Sequence, residues 1–201
     1  MNLPNKITVA RIALTFIFMI LLFSGGIICK IFAFVIFMIA ALSDYLDGFI
    51  AKKYDLKSDF GKVMDPVADK VLTLAAFLAF VEMKLIPAWI LVIIIMRELL
   101  VTSLRILALK NNEVLPAGMG GKHKTVSQMF SILVILIFIV FKEAGVEVFG
   151  FWNPAFEYWY RQVIFVLMLI TVVLTIGSGV SYIVGNKKYI HNGGNGSKDI
   201  S

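Results

Sequence analysis

The strongest constraint on this chain is a succession of apolar runs about as long as a membrane is thick. Six can be marked, at roughly 7–28, 31–53, 66–85, 87–109, 124–142 and 162–185. A helix needs about 20 residues to cross a hydrocarbon core of about 30 Å, and backbone polar groups in lipid must bond within their own segment. The expected fold is therefore all-α, an integral membrane protein of six transmembrane helices. Composition agrees: 60% of residues are hydrophobic and 16% charged, against about 45–50% apolar residues in soluble domains. The length suits one domain, expected over 1–191, and the polar, glycine-rich stretch 192–201 is expected to be disordered. No small-residue cleavage site follows the first run, which reads as a retained span rather than a signal peptide.

Loop charges give the orientation. Lys52, Lys53, Lys57 and Lys62 lie between the second and third runs, Lys110, Lys122 and Lys124 between the fourth and fifth. Lys6 and Arg11 lie near the N-terminus, and Lys187 and Lys188 follow the last run. The opposite connections hold chiefly Lys30, Lys84, Lys142 and Arg161, offset by Glu82, Glu143, Glu147 and Glu157. The positive-inside rule places both termini on the cytoplasmic side. The net charge of +6 sits in loops beside spans, which suits anionic headgroups and phosphorylated substrates rather than nucleic acid. On the other side, the 143–161 connection, with Phe149, Phe151, Trp152, Phe156, Tyr158, Trp159 and Tyr160, reads as an interfacial aromatic belt. Cys29 is the sole cysteine; it excludes an intrachain disulfide and reads as a buried small hydrophobe.

Within this apolar chain four carboxylates stand close together. Asp44 and Asp47 are spaced i,i+3 near the end of the second run, Asp65 and Asp69 i,i+4 at the start of the third, so each pair shares a helix face. A carboxylate at bilayer depth costs about 2.5–3.5 kcal/mol on insertion scales, which places the four near an interface with counter-charges. Two acidic pairs joined by a short turn make a site for divalent cations. A simpler reading is helix capping, since Asp65 directly before Pro66 looks like an N-cap with proline at N1. The whole pattern is Asp-x2-Asp-Gly-x2-Ala-x9-Gly-x3-Asp-x3-Asp, with seven fixed positions. At residue frequencies of roughly 7% each, a chance match at a given start is on the order of 10⁻⁸.

This pattern resembles the signature of the CDP-alcohol phosphotransferases, membrane enzymes that join a CDP-activated group to an alcohol and release CMP. The one departure is Lys52, where the family has arginine: the charge stays, but the planar fork that grips phosphate bidentately is lost. The resemblance implies that Asp44, Asp47, Asp65 and Asp69 are metal ligands, with Asp69 also the general base toward the attacking hydroxyl. Hard oxygen ligands suit Mg²⁺ or Mn²⁺. Two ions about 3.5–4 Å apart neutralise the entering and leaving oxygens of a displacement at phosphorus. It further implies a nucleotide site of Asn5, Thr8, Asp44, Asp47, Gly48, Ala51, Lys52, Gly61 and Asp65, the small residues leaving room for the nucleotide, and a homodimer in the bacterial cytoplasmic membrane whose polar active-site cavity opens to the cytoplasm.

The opening Asn2 to Arg11, the segment Arg97 to Arg105, and Gly121 to Thr125 look like the bacterial phosphatidylglycerophosphate synthase branch of that family. That likeness implies CDP-diacylglycerol as donor and sn-glycerol 3-phosphate as acceptor. Arg97 and Arg105 are eight residues apart, about two helical turns, and arginine within a span is costly unless it meets an anion. They are the candidate acceptor-phosphate residues, completed by Lys122 and Lys124. Pairing of Arg97 with Glu98 or with the aspartates is the alternative, and His123 reads as an interfacial bystander. Within the family, a cardiolipin synthase or a phosphatidylinositol phosphate synthase is the competing assignment. A cation-coupled transporter fits less well, because the aspartates lie at one face rather than the midplane and no internal repeat is evident.

Overall fold

The structure, a computed structural model, describes residues 3–54, 59–110 and 120–186, with side chains from 9 to 43, 70 to 104, at 106, and from 124 to 186. The stretch 192–201 lies outside the described residues. Among those described, all regular structure is α-helical: α1 (Leu3–Phe23), α2 (Ile27–Tyr54), α3 (Asp59–Glu82), α4 (Ala88–Lys110), α5 (Gly120–Glu147) and α6 (Pro154–Gly185).

The six helices follow the six apolar runs in order, but most are longer than the runs. Hydropathy marks only the stretch that suits hydrocarbon, whereas helical hydrogen bonding continues into polar flanks. Two readings are corrected by this. The aromatic segment 143–161 is not a connection: α5 continues to Glu147 and α6 begins at Pro154, so only 148–153 lie between them. Asp65 is not an N-cap either, because α3 begins at Asp59 and Pro66 sits inside it. There the proline supplies no N–H to the carbonyl four residues earlier, that of Lys62.

From Lys124 to Glu147 and from Pro154 to Gly185 the helices are long and apolar enough to cross a membrane. Large apolar side chains stand on the surface, among them Phe16, Ile20, Phe130, Val173 and Val184, each more than half exposed. These exposed apolar side chains and the two long apolar helices are consistent with a membrane protein.

The chain divides into two compact units, with α5 and α6 contributing to both. The first comprises Met1–Leu85 and Ile132–Ile164. In it α1 packs along both α2 and α3, with Phe18 and Phe37 fully buried and their ring centroids 5.5 Å apart. Its connections are stitched by charged side chains. Lys30, a buried residue, donates from Nζ to the carbonyls of Leu22 (2.7 Å) and Ser24 (2.8 Å), satisfying the C-terminus of α1. Glu147 accepts from the Ile27 amide at 2.9 Å. Lys84 ends α3 with a left-handed φ of 56°. The Leu85 amide reaches back to the Phe80 carbonyl and that of Lys84 to Val81, the pattern of a Schellman motif. Arg161 donates to the Lys84 carbonyl at 2.8 Å, and Glu157 binds Lys142, Trp152 and Arg161. The 148–153 connection folds back onto α5, where a Cβ on Gly145 would meet the Phe151 ring at 3.0 Å. Cys29 is half-buried.

The second unit comprises Ile86–Ser131 and Phe165–Ser201. Ile90, Ile94 and Val101 of α4 and Met168, Val172 and Tyr182 of α6 are its main buried apolar residues. Tyr182 packs on Val101 and Leu104.

Candidate active site

The carboxylate motif is carried by the end of α2 and the start of α3. Both are continuous helix there, over 44–54 and 59–69, so the spacings i,i+3 and i,i+4 do place Asp44 with Asp47, and Asp65 with Asp69, on common helix faces. Asp47 lies seven residues before the last residue of α2 and Asp65 six after the first of α3. At 1.5 Å per residue both stand about 9–10 Å along their helices from the same connection. Carboxylates are the hard oxygen donors that Mg²⁺ or Mn²⁺ would take. The side chains of these aspartates lie outside the described residues. So do those of Asn5, Thr8, Gly48, Ala51, Lys52, Gly61, Arg105, Lys122 and His123. Arg11, counted above among charges near the terminus, is a buried residue of α1, 2% exposed.

In the second unit the structure brings two of the expected phosphate-binding residues together. Arg97 of α4 donates from Nη1 to Oε1 of Glu98 at 3.3 Å, and Lys124 of α5 donates from Nζ to the same oxygen. The side chains of Arg97 and Glu98 are 12% exposed and that of Lys124 6%. In so little water Glu98 attracts both cations strongly. The pairing of Arg97 with Glu98, foreseen as the alternative to phosphate binding, is present.

Two contributors were not anticipated. Ser178 of α6 accepts from Arg97 Nη2 at 2.7 Å. A hydroxyl ladder also joins α5 to α6, with Thr171 Oγ1 2.7 Å from Ser131 Oγ and 3.2 Å from Ser127 Oγ. Between helices in an apolar surrounding, such hydroxyl pairs fix which turn faces which. Lys124 precedes Ser131 by seven residues and Ser178 follows Thr171 by seven. In this antiparallel pair, two turns from the ladder on each helix bring Lys124 and Ser178 to the level of the Arg97–Glu98 pair. The signals in the sequence are Thr171, Thr175 and Ser178, at i, i+4 and i+7 in an apolar run, and the interruption Gly177-Ser178-Gly179.

Residues 1–177 match the CDP-alcohol phosphatidyltransferase family. The chain belongs to this family. Among its relatives is the CDP-diacylglycerol–glycerol-3-phosphate 3-phosphatidyltransferase of Bacillus subtilis (strain 168), 40% identical over 148 residues, covering 68% of this chain and 77% of the relative. The enzyme of that name from Rickettsia bellii (strain RML369-C) is 31% identical over 194 residues, 94% of this chain and 97% of the relative. A probable phosphatidylglycerophosphate synthase of Mycobacterium tuberculosis (strain ATCC 25618 / H37Rv) is 32% identical over 185 residues, 90% and 80%. Membership in the family makes this chain a CDP-alcohol phosphatidyltransferase.

Proposed function

We propose that this phosphatidyltransferase moves the phosphatidyl group of CDP-diacylglycerol to sn-glycerol 3-phosphate, giving phosphatidylglycerophosphate and CMP. Family membership supports the reaction class, and relatives spanning most of the chain carry the names of that reaction. The observation that carries the choice of acceptor is the convergence of Arg97 and Lys124 in a nearly dry site. An acceptor with its own phosphate needs such a pocket, and Arg105 and Lys122 would complete it.

Asp44, Asp47, Asp65 and Asp69 would hold two Mg²⁺ or Mn²⁺ ions, which would supply charge neutralisation at the reacting phosphoryl group. Asp69 takes the proton from the acceptor hydroxyl as its oxygen bonds to the phosphorus that bears the diacylglycerol. The bond from that phosphorus to the CMP oxygen breaks, and CMP leaves with the bonding pair. Asn5, Thr8, Gly48, Ala51, Lys52 and Gly61 contact the nucleotide, Lys52 gripping phosphate as a point charge.

All six helices cross the bacterial cytoplasmic membrane, with the carboxylates, a polar cavity and both termini on the cytoplasmic side. Supporting this orientation, Lys30, Lys142 and Arg161 on the opposite side are already engaged by carbonyls or by Glu157. The working unit is a homodimer.

The test is CMP release by the purified protein in detergent with CDP-diacylglycerol and Mg²⁺. Glycerol 3-phosphate, inositol phosphate and phosphatidylglycerol are offered separately. Turnover with glycerol 3-phosphate alone is expected; turnover with another acceptor overturns the assigned alcohol and keeps the reaction class.

A further inference from the structure

We propose that Ser178 and Gly179 of α6 form the seat that orients Arg97 for the acceptor phosphate, Ser178 acting as a positioning residue. This rests on the acceptor-binding role of Arg97 given above. The matched family region ends at residue 177, so neither residue falls within it.

Three features build the seat. Ser178, 8% exposed, takes a hydrogen bond from Arg97 Nη2 at 2.7 Å. Glu98 takes one from Nη1 at 3.3 Å. A guanidinium is a rigid planar fork. Fixing both of its terminal nitrogens, one from α6 and one from its own helix, fixes the plane in which the fork meets an anion. The third feature is a missing atom. A Cβ on Gly179 would stand 3.2 Å from Cγ of Arg97, tighter than ordinary carbon contact. Glycine at 179 lets the arginine stem lie against the α6 backbone while its head turns to Ser178. Head and stem are thus placed by consecutive residues of a helix whose register is set two turns away, at Thr171.

Without the Ser178 hydroxyl, the guanidinium keeps its charge but loses the bond that holds Nη2. Arg97 then meets phosphate with a fork that must be ordered at the moment of binding. The cost falls on the acceptor and not on CDP-diacylglycerol.

The test uses the full chain in detergent with Mg²⁺ and reads CMP release against each substrate in turn. Ser178→Ala is expected to raise KM for glycerol 3-phosphate about tenfold or more, in line with one hydrogen bond to a charged group. KM for CDP-diacylglycerol should stay within about twofold. Ser178→Thr, which keeps the hydroxyl, should restore most of the acceptor affinity, and Gly179→Ala should raise the acceptor KM with the hydroxyl in place. An Ser178→Ala enzyme with unchanged acceptor KM overturns the proposal. Equal loss toward both substrates also overturns it, since that marks a purely structural serine. If Ser178→Ala does not fold, the Ser178→Thr and Gly179→Ala pair decides alone, and a normal acceptor KM in Gly179→Ala overturns the seat. The acceptor reading fails separately: a parent enzyme that does not use glycerol 3-phosphate, or an Arg97→Ala enzyme with normal acceptor KM, removes that reading and the proposal with it.

Discussion

Replacing Glu98 by glutamine tests the charge cluster most directly. In the parent the carboxylate serves Arg97 and Lys124 at once, with side chains 12%, 12% and 6% exposed for Arg97, Glu98 and Lys124. Removing one partner of a buried ion pair costs about 3–5 kcal/mol. Glutamine keeps the volume and one acceptor oxygen, so the low end, about 3 kcal/mol, is expected. For a chain of 201 residues, at about 2–4 °C per kcal/mol, this is a fall of about 6–12 °C in apparent Tm. Thermal unfolding in detergent, followed by intrinsic fluorescence, reads it. The same experiment has a second arm. In the variant Nη1 of Arg97 loses the carboxylate that helps to fix its plane, so glycerol 3-phosphate should raise the Tm of the variant less than that of the parent. Saturation at a hundred times Kd contributes about 2.7 kcal/mol. A variant melting within about 1 °C of the parent would refute the shared buried carboxylate. Equal acceptor-induced shifts in the two proteins would refute a part for Glu98 in orienting Arg97.

Lys30→Met removes two short bonds from a buried ammonium to the Leu22 and Ser24 carbonyls. It should cost about 3 kcal/mol at 1.5 kcal/mol or more per charged bond, seen as a lower Tm with turnover per folded molecule unchanged; an unaltered Tm refutes the capping role. Lys84→Gly should go the other way. The left-handed φ of 56° costs a residue with a Cβ about 1 kcal/mol, and the bond from Arg161 goes to the backbone carbonyl, so Tm should rise by about 2–4 °C. Asp69→Asn should retain Mn²⁺ and CDP-diacylglycerol binding while turnover falls by about 10²–10⁴; parent-like turnover removes Asp69 from the base role.

The sequence was a good guide wherever a signal is local and repeated. Each helix follows an apolar run, and the spacing of the aspartates needed only the helix that the structure supplies. It misled where polar residues stay helical by finding partners across the fold. Lys142, Glu157 and Arg161 read as loop charges, yet Glu157 binds both cations at 2.9 Å, and α5 and α6 keep their helical turns through them. The Asp65–Pro66 pair carries a capping signal that α3 overrides by starting at Asp59. Lys30 reads as an interfacial charge because nothing in its neighbours says that two carbonyls await it. Ser178 was missed although Thr171, Thr175 and Ser178 recur at i, i+4 and i+7: the stripe marks a buried polar face, but the partner lies 81 residues away and only packing shows it. The helical spacing of the aspartates belongs to the legible part, and the partners of Arg97 to the part that tertiary packing decides.

The hydroxyl ladder at Thr171 sets a rule for length variation. Deleting one residue between Thr171 and Ser178 would turn the rest of α6 by about 100° and draw it back about 1.5 Å, carrying Ser178 and Gly179 away from Arg97 together. A deletion in the 148–153 connection leaves the ladder able to re-form with every residue beyond it in phase. Functional members of this lineage should therefore differ in length before Thr171 and keep a fixed count of seven residues from there to the serine.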